Sequence, residues 1–432
     1  MIRPGIAAIL LAAGLATGLG AQVPDTTRLD SLPPDTTDYT ALFLKGQQDG
    51  RKLIPVPPRI GSGALLPWRT RLIIARDSIQ WHNSETLGDI LTKIPGVYLL
   101  RGGWGGGRPE LPTYQAHGAT STEYLIDGMP YLPIGQDSVM ADPTFFPLSL
   151  IDRIEIEKLP GLLRIFLFTH RNDRSVPYSH IGIASGDLQI ARYQGELQRR
   201  SAKGPGIALA FDHHAVPSQP STLGEYSNTQ GLVRFEYVPS ARAGAEVQFF
   251  QSGPDREPVL NAAGDTVMRG RHGTRHDWTG RLFWSGQRNG LGPRLDLVVN
   301  RTTWVDQIEK DSTIVLTDSI AGDTLVRTDT SYNVFGHRRA YTQAGLLAAY
   351  RLAAASLEGS LFLRSTWTPV ELRVRGGISP TRFFTAGADV VHQRHDGERT
   401  SQWIAARAGV RLPFGFVASA VWRKGTAVAA PS

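Results

Sequence analysis

Histidine pairs are the first residues whose spacing could do chemistry: His213 with His214, His272 with His276, and His392 with His395. Histidines three or four apart can share a metal when a helix sets them on one face. The segments around these pairs have strand or loop character, so no metal site is assigned. The acidic run Asp306, Glu309, Asp311 and Asp318 lies in a polar stretch and fits a solvated loop. Gly102-Gly103-Trp104-Gly105-Gly106-Gly107 has the glycine content of a phosphate cradle, but not the strand–G-x-G-x-x-G–helix context that a nucleotide site needs. The chain has no cysteine, and no Ser-His-Asp or paired-carboxylate constellation stands out. No catalytic residue and no cofactor are therefore assigned, and the chain is not read as an enzyme.

What remains is charge at a regular period. Arg234 and Glu236 alternate with Val233, Phe235 and Tyr237, and Glu246 and Gln248 with Ala245, Val247 and Phe249. Arg294, Asp296 and Asn300 alternate with Leu295, Leu297 and Val299, and Glu371, Arg373 and Arg375 with Val370, Leu372 and Val374. Period-two alternation over about ten residues is the length a tilted strand needs to cross a bilayer, with one face to lipid and one to water. About 13 such strands are read from Tyr178 to the end. Short Gly/Pro/Ser turns (202–206, 239–242, 289–293, 379–382, 413–415) alternate with mostly longer polar connections (215–227, 253–274, 305–333). Short turns on one rim and long loops on the other mark a membrane barrel. A soluble β-sandwich also alternates, but it does not gather its long loops on one side. Val238-Pro239-Ser240-Ala241-Arg242 and Ile378-Ser379-Pro380-Thr381-Arg382 resemble each other and suggest a recurring hairpin.

The elements upstream are of other kinds. Residues 1–21 carry one arginine, a short apolar run and a small-residue exit, and are read as a secretory signal. No later apolar run is long enough for a helical span. Residues 22–70, rich in Pro, Asp and Thr, read as an extended periplasmic linker, with docking as a further role. Residues 71–170 are mixed α/β. Leu72-Ile73-Ile74 forms a strand. A helix capped by Asn83 or Ser84 buries Leu87, Ile90, Leu91 and Ile94 and stops at Pro95-Gly96. Val97 to Leu100 is a strand, and Asp127-Gly128 supplies a hairpin turn. Leu148 to Ile151 is helical, and Arg153 to Glu157 alternates as a half-buried strand. The fold class is mainly β: a small α/β domain, then an antiparallel transmembrane barrel of about 12–14 strands over 178–423, incomplete in this chain, and a disordered tail at 424–432. The net charge of +7 is carried by dispersed arginines rather than a cluster, so nucleic acid is not read as a partner.

Three motifs carry a family resemblance. They are Thr86-Leu87-Gly88-Asp89-Ile90-Leu91 running into Ile94-Pro95-Gly96-Val97, then Tyr124-Leu125-Ile126-Asp127-Gly128-Met129-Pro130, then Ile151-Asp152-Arg153-Ile154-Glu155-Ile156-Glu157-Lys158. In order and spacing this stretch resembles the plug domain of TonB-dependent outer-membrane receptors. The matching structural positions are Leu87, Leu91, Pro95, Gly96, Gly118, Asp127, Gly128, Pro130, Arg153 and Glu155. The sequence has His117-Gly118 where the family has Arg-Gly, and no energy-coupling box stands out in 22–70. The resemblance implies the outer membrane of a Gram-negative-type bacterium and uptake of a scarce, bulky nutrient (siderophore, corrinoid or glycan) energised by TonB. It implies ligand contact at the plug apex, for which Trp104, Arg108 and Tyr131 are the candidates. The implied partners are outer-membrane lipid, the small-molecule or glycan ligand, and TonB through the linker. Alternatives are a passive or vestigial plugged barrel without TonB coupling, and an exported soluble β-protein. Arg153, Glu155 and Glu157 are expected to pair with lumen charges such as Arg234 or Glu236.

Overall fold

The computed structural model describes residues 53–426 except 62–70, 83, 102–109, 118–120, 133–142, 187–189, 218–224, 261–265, 269, 288–289, 321–322, 398, 413 and 415. The signal, most of the linker, Trp104, Arg108, Gly118 and the tail from 427 lie outside the described residues.

The plug is built around β1 (Arg71–Ala75), β4 (Thr122–Ile126), β5 (Met129–Pro130), β6 (Ile151–Leu159) and β7 (Leu162–Thr169), in the order β1-β6-β7-β4-β5. All pairs are antiparallel except β4 with β7. Helices α1 (Arg76–Trp81) and α2 (Leu87–Thr92) and the hairpin of β2 (Val97–Arg101) with β3 (Glu110–Tyr114) complete it. Leu87, Ile90, Leu91 and Ile94 enter one core with Ile154, Ile156, Leu163, Ile165 and Leu167, as the 3.6-residue spacing requires. The cap falls later than Asn83 or Ser84. Thr86 accepts from the Asp89 N–H while Asp89 accepts from the Thr86 N–H, a reciprocal capping box. Asp127 and Gly128 both hold positive φ, 47° and 88°, as a two-residue hairpin demands. Strand β6 is not half-buried: it lies between β1 and β7, and Glu155 and Glu157 are fully buried. Strand β7 is buried along its whole length, and apart from the paired Arg164 and the terminal Thr169 its side chains are apolar.

Thirteen antiparallel strands follow in one meandering sheet, from β8 (Tyr178–Ser185) to β22 (Val417–Gly425). Among the described residues only β13 (Val259–Leu260) and β14 (Thr266–Met268) leave it, as a small hairpin of their own. Among the described residues β8 and β22 each pair on one side only, so the sheet is an open wall. Its polarity is inverted relative to a soluble protein. Arg234, Arg275, Asp296, Thr302, Asp389 and Arg407 are buried inward, while Phe235, Trp278, Leu282, Leu297, Leu363 and Ile404 are exposed outward. A sandwich with a dry centre is excluded by this inversion. Tyr237, Trp284, Tyr350 and Phe383 are exposed close to the short-turn rim, the position of an aromatic girdle. No helix among the described residues is long and apolar enough to cross a membrane.

Two details of the wall refine the sequence reading. Residues 305–333, expected to be a loop, extend β16 (Gly292–Ile320) and β17 (Asp323–Arg351) into one hairpin paired without interruption to Ile320 and Asp323. The two similar turns do share a device. Register slips between Tyr237 and Ser240 in one, and between Ile378 and Thr381 in the other. Each slip contains a proline, whose missing N–H cannot serve the ladder. Thr86→Ala should lower plug stability by about 1 kcal/mol through loss of the cap. The onset of plug proteolysis along a urea series checks this.

Candidate functional site

The inward face of the wall meets the plug along a seam of buried charge. On the plug, strand register puts Glu157, Arg164 and Glu123 in one row across β6, β7 and β4. On the wall, register puts Glu358, Arg375 and Asp389 in a row across β18 (Ala355–Arg364), β19 (Val370–Thr381) and β20 (Phe384–Arg394), with Arg407 on β21 (Thr400–Arg411) one diagonal step away. The rows interlock. Arg375 donates from both Nη atoms to Glu157 at 2.9 and 2.8 Å, and from Nε to Asp389 at 2.9 Å. Arg407 also donates to Asp389. Arg164 donates to Glu123 at 2.8 Å, and Arg373 reaches the other Glu123 oxygen at 2.6 Å. Two-point Arg–carboxylate pairing fixes angle as well as distance, so the plug is held in register with the wall.

Burial alone would push Glu157 up, but Arg375, Arg164, Arg407 and Arg71 outweigh it and hold its carboxyl below the ordinary range. Glu123 is likewise held well below that range by Arg373 and Arg164 against its own burial.

A second cluster lies where the chain passes from plug to wall. Arg171 donates to both Glu246 oxygens at 2.5 and 3.1 Å and stands 3.8 Å from Asp127. Asp127 accepts from the Thr169 N–H at 3.1 Å and its hydroxyl at 2.7 Å, so the hairpin turn also ties down the end of β7. Arg234 donates to the Thr169 hydroxyl at 2.9 Å and the His170 carbonyl at 2.7 Å.

The expected pairings are therefore redistributed. Glu157 does meet a lumen arginine, but it is Arg375. Glu155 stays within the plug, bound by Arg71 and by Arg153 at 2.6 Å. Arg234 grips the end of β7, and Glu236 pairs with Arg171 and Arg200. Tyr131 lies buried beneath the Arg275 guanidinium, 3.6 Å from its ring centroid, with Phe146 at 4.6 Å. The Arg275 and Tyr131 pair thus pins the long-loop end of the plug to the wall.

The histidines take local partners. His213 meets Thr229, His272 pairs with Asp255, His276 stacks on Phe249, His392 meets Gln402 and His395 meets Ser401. Sequence reasoning does not single out Arg164, Arg171, Arg373, Arg375, Asp389 or Arg407 as site residues. The available signal is charge at the inward-facing, period-two positions.

At low pH the seam should loosen. Carboxyls held below their unfolded range stabilise docking fully above about pH 4–5, and that contribution is lost as pH falls through their folded values. Arg375→Ala should weaken docking by about 3–5 kcal/mol, the usual cost of leaving a buried charge without its partner. Protease sensitivity of the plug, measured against pH and in the variant, reads both.

Residues 69–163 match the family described as TonB-dependent Receptor Plug Domain. Among solved structures, the chain is similar to "Copper transporter OprC" at 12% identity and a TM-score of 0.55, covering 86% of this chain and 61% of that one. It is similar to the FrpB iron transporter from Neisseria meningitidis at 8% identity and a TM-score of 0.55, covering 82% and 73%. It is also similar to the siderophore receptor PiuA from Acinetobacter baumannii at 10% identity and a TM-score of 0.50, covering 88% and 64%. The chain thus spans about three fifths to three quarters of the length of these proteins. Residues 69–163 thus match a TonB-dependent receptor plug domain, and plug and wall together share the fold of these three solved structures.

Proposed function

We propose that the chain acts in uptake of a scarce, bulky nutrient across the outer membrane, with release of the plug driven from the periplasm by TonB through the N-terminal segment. The observation that carries this reading is the seam. A plug held by many buried, reciprocal ion pairs stays docked on the wall at neutral pH, so passage of a bulky solute needs work delivered to the plug. Glu157 and Arg375 alone make a bidentate pair that thermal motion would seldom open. The similar structures are titled a copper transporter, an iron transporter and a siderophore receptor. A metal ion or metal chelate is accordingly the first ligand class to test here, ahead of a corrinoid or glycan. Trp104, Arg108 and Tyr131 remain the proposed ligand-facing plug residues, with Tyr131 reached only after Arg275 moves off its ring.

The test is uptake of labelled ferric chelates by cells expressing the chain, with and without residues 22–52. Loss of uptake with unchanged membrane insertion is the expected outcome. Equal accumulation by both forms would support a passive plugged barrel instead.

A further inference from the structure

The end of the linker is bound, and its sequence dictates how. Residues 53–61 read Leu-Ile-Pro-Val-Pro-Pro-Arg-Ile-Gly. Three prolines fix their own φ, and each disfavours a helical residue before it, so the stretch is set for polyproline II. That helix has three residues per turn and no internal hydrogen bonds. Burial follows the same period. Ile54, Pro57 and Ile60 are buried, whereas Leu53, Val56 and Arg59 are exposed.

The prolines lack N–H groups, so this backbone offers mainly acceptors. The surroundings supply arginines, whose side chains carry donors only. Arg200 donates to the Pro55 carbonyl at 2.5 Å, Arg281 to Pro58 at 2.5 Å and Arg294 to Arg59 at 3.0 Å. From the plug, Arg71 donates to the Gly61 carbonyl at 2.8 Å. Arg200, Arg281 and Arg294 all stand toward the short-turn rim of the wall.

Ile60 ends the strap in a cluster with Met129 of the plug and Val298 and Phe362 of the wall. It sits directly on the turn: a Cβ added to Gly128 would come within 2.4 Å of the Ile60 Cβ. Members of this cluster line two cavities of about 60 Å³ each. Met129 and Val298 line the one that extends toward the long loops past Arg275 and Tyr341. Ile60, Phe362 and Arg294 line the one toward the short-turn rim.

We infer that Pro55–Gly61 is a removable polyproline-type ligand of the wall, seated by Arg200, Arg281 and Arg294, and that its Ile60 is the stopper between the two cavities. When the strap leaves, the cavities join into one passage along the seam past Met129, Val298 and Phe362. Arg281, paired with Asp296 and Glu246, and Arg294, paired with Asp296, then face the passage without their carbonyl partners, which leaves donors there for a solute's acceptor atoms. The inference deepens the uptake reading and rests on it for its purpose. Its test reads strap occupancy with no transport ligand present, so either can fail alone.

The natural absence of cysteine makes Val298→Cys a single reporter in the full chain. Val298 is 1% exposed, so with the strap seated a small anionic thiosulfonate reagent should leave it unmodified. Deletion of residues 53–61, or Ile60→Gly in the intact strap, should speed modification at least tenfold. A synthetic peptide of residues 50–62 added to the deleted chain should restore protection, and the same peptide carrying Ile60→Gly should not. Protease resistance of the plug is followed in parallel; if the deletion frees the plug, the Ile60→Gly chain decides. Unchanged modification in the Ile60→Gly chain, or equal protection by both peptides, would overturn the inference.

Discussion

A sheet that turns its apolar side chains outward must send its charges inward, and a buried charge is tolerable only when paired. Every other residue of the wall strands points into the lumen, and many are arginines or carboxylates that are almost completely buried. Leaving one such ion without a partner would cost several kcal/mol. Pairing within the wall covers part of this demand, as between Arg375 and Asp389 or Arg281 and Asp296. The plug covers more of it, because the register of β4, β6 and β7 lines Glu123, Glu157 and Arg164 opposite the wall's own row. The plug is thus an electrostatic complement of the wall as well as a filling for it.

The same logic acts on neutral groups. Arginine offers five donors and no acceptor, and carboxylates do not absorb all of them. Backbone carbonyls take part of the remainder: His170 from Arg234, Leu132 from Arg275, Pro160 from Arg423, and Pro55, Pro58 and Arg59 from three arginines of the wall. A proline-rich segment suits this because its carbonyls are committed to no partner of their own. Composition that would leave a segment unstructured in isolation here makes it a good ligand for a guanidinium-lined groove. The linker and the seam are linked by this one chemistry, and both meet at the Asp127-Gly128 turn. Asp127 holds the end of β7, and Gly128 gives Ile60 room to seat.

Elements governed by local periodicity are legible in the amino-acid order. The buried face of α2, the positive φ at Asp127 and Gly128, the count of about 13 wall strands and the recurring proline hairpin all follow from spacing and residue type. Local ambiguity limits the cap, since Asn83, Ser84 and Thr86 are all competent and only the position of Asp89 selects Thr86. Residues 305–333 resemble a loop because they are polar. A hairpin projecting past the wall needs backbone pairing but no apolar face, so the usual strand signal is missing.

Residue order by itself determined that the chain has a mixed plug-like part and a dyad-patterned wall, because both signals are short-range: one side-chain period for helix, another for strand. It also marked which side chains would be charged and inward. Which of those charges meet was decided by tertiary structure alone. Glu157 and Arg375 are separated by a whole run of wall strands, and their pairing depends on how the plug rotates inside the wall, a quantity to which no local spacing refers. The seating of Ile60 on Gly128 is of the same kind: two residues far apart in sequence, brought together because an extended strap and a tight turn leave room for each other.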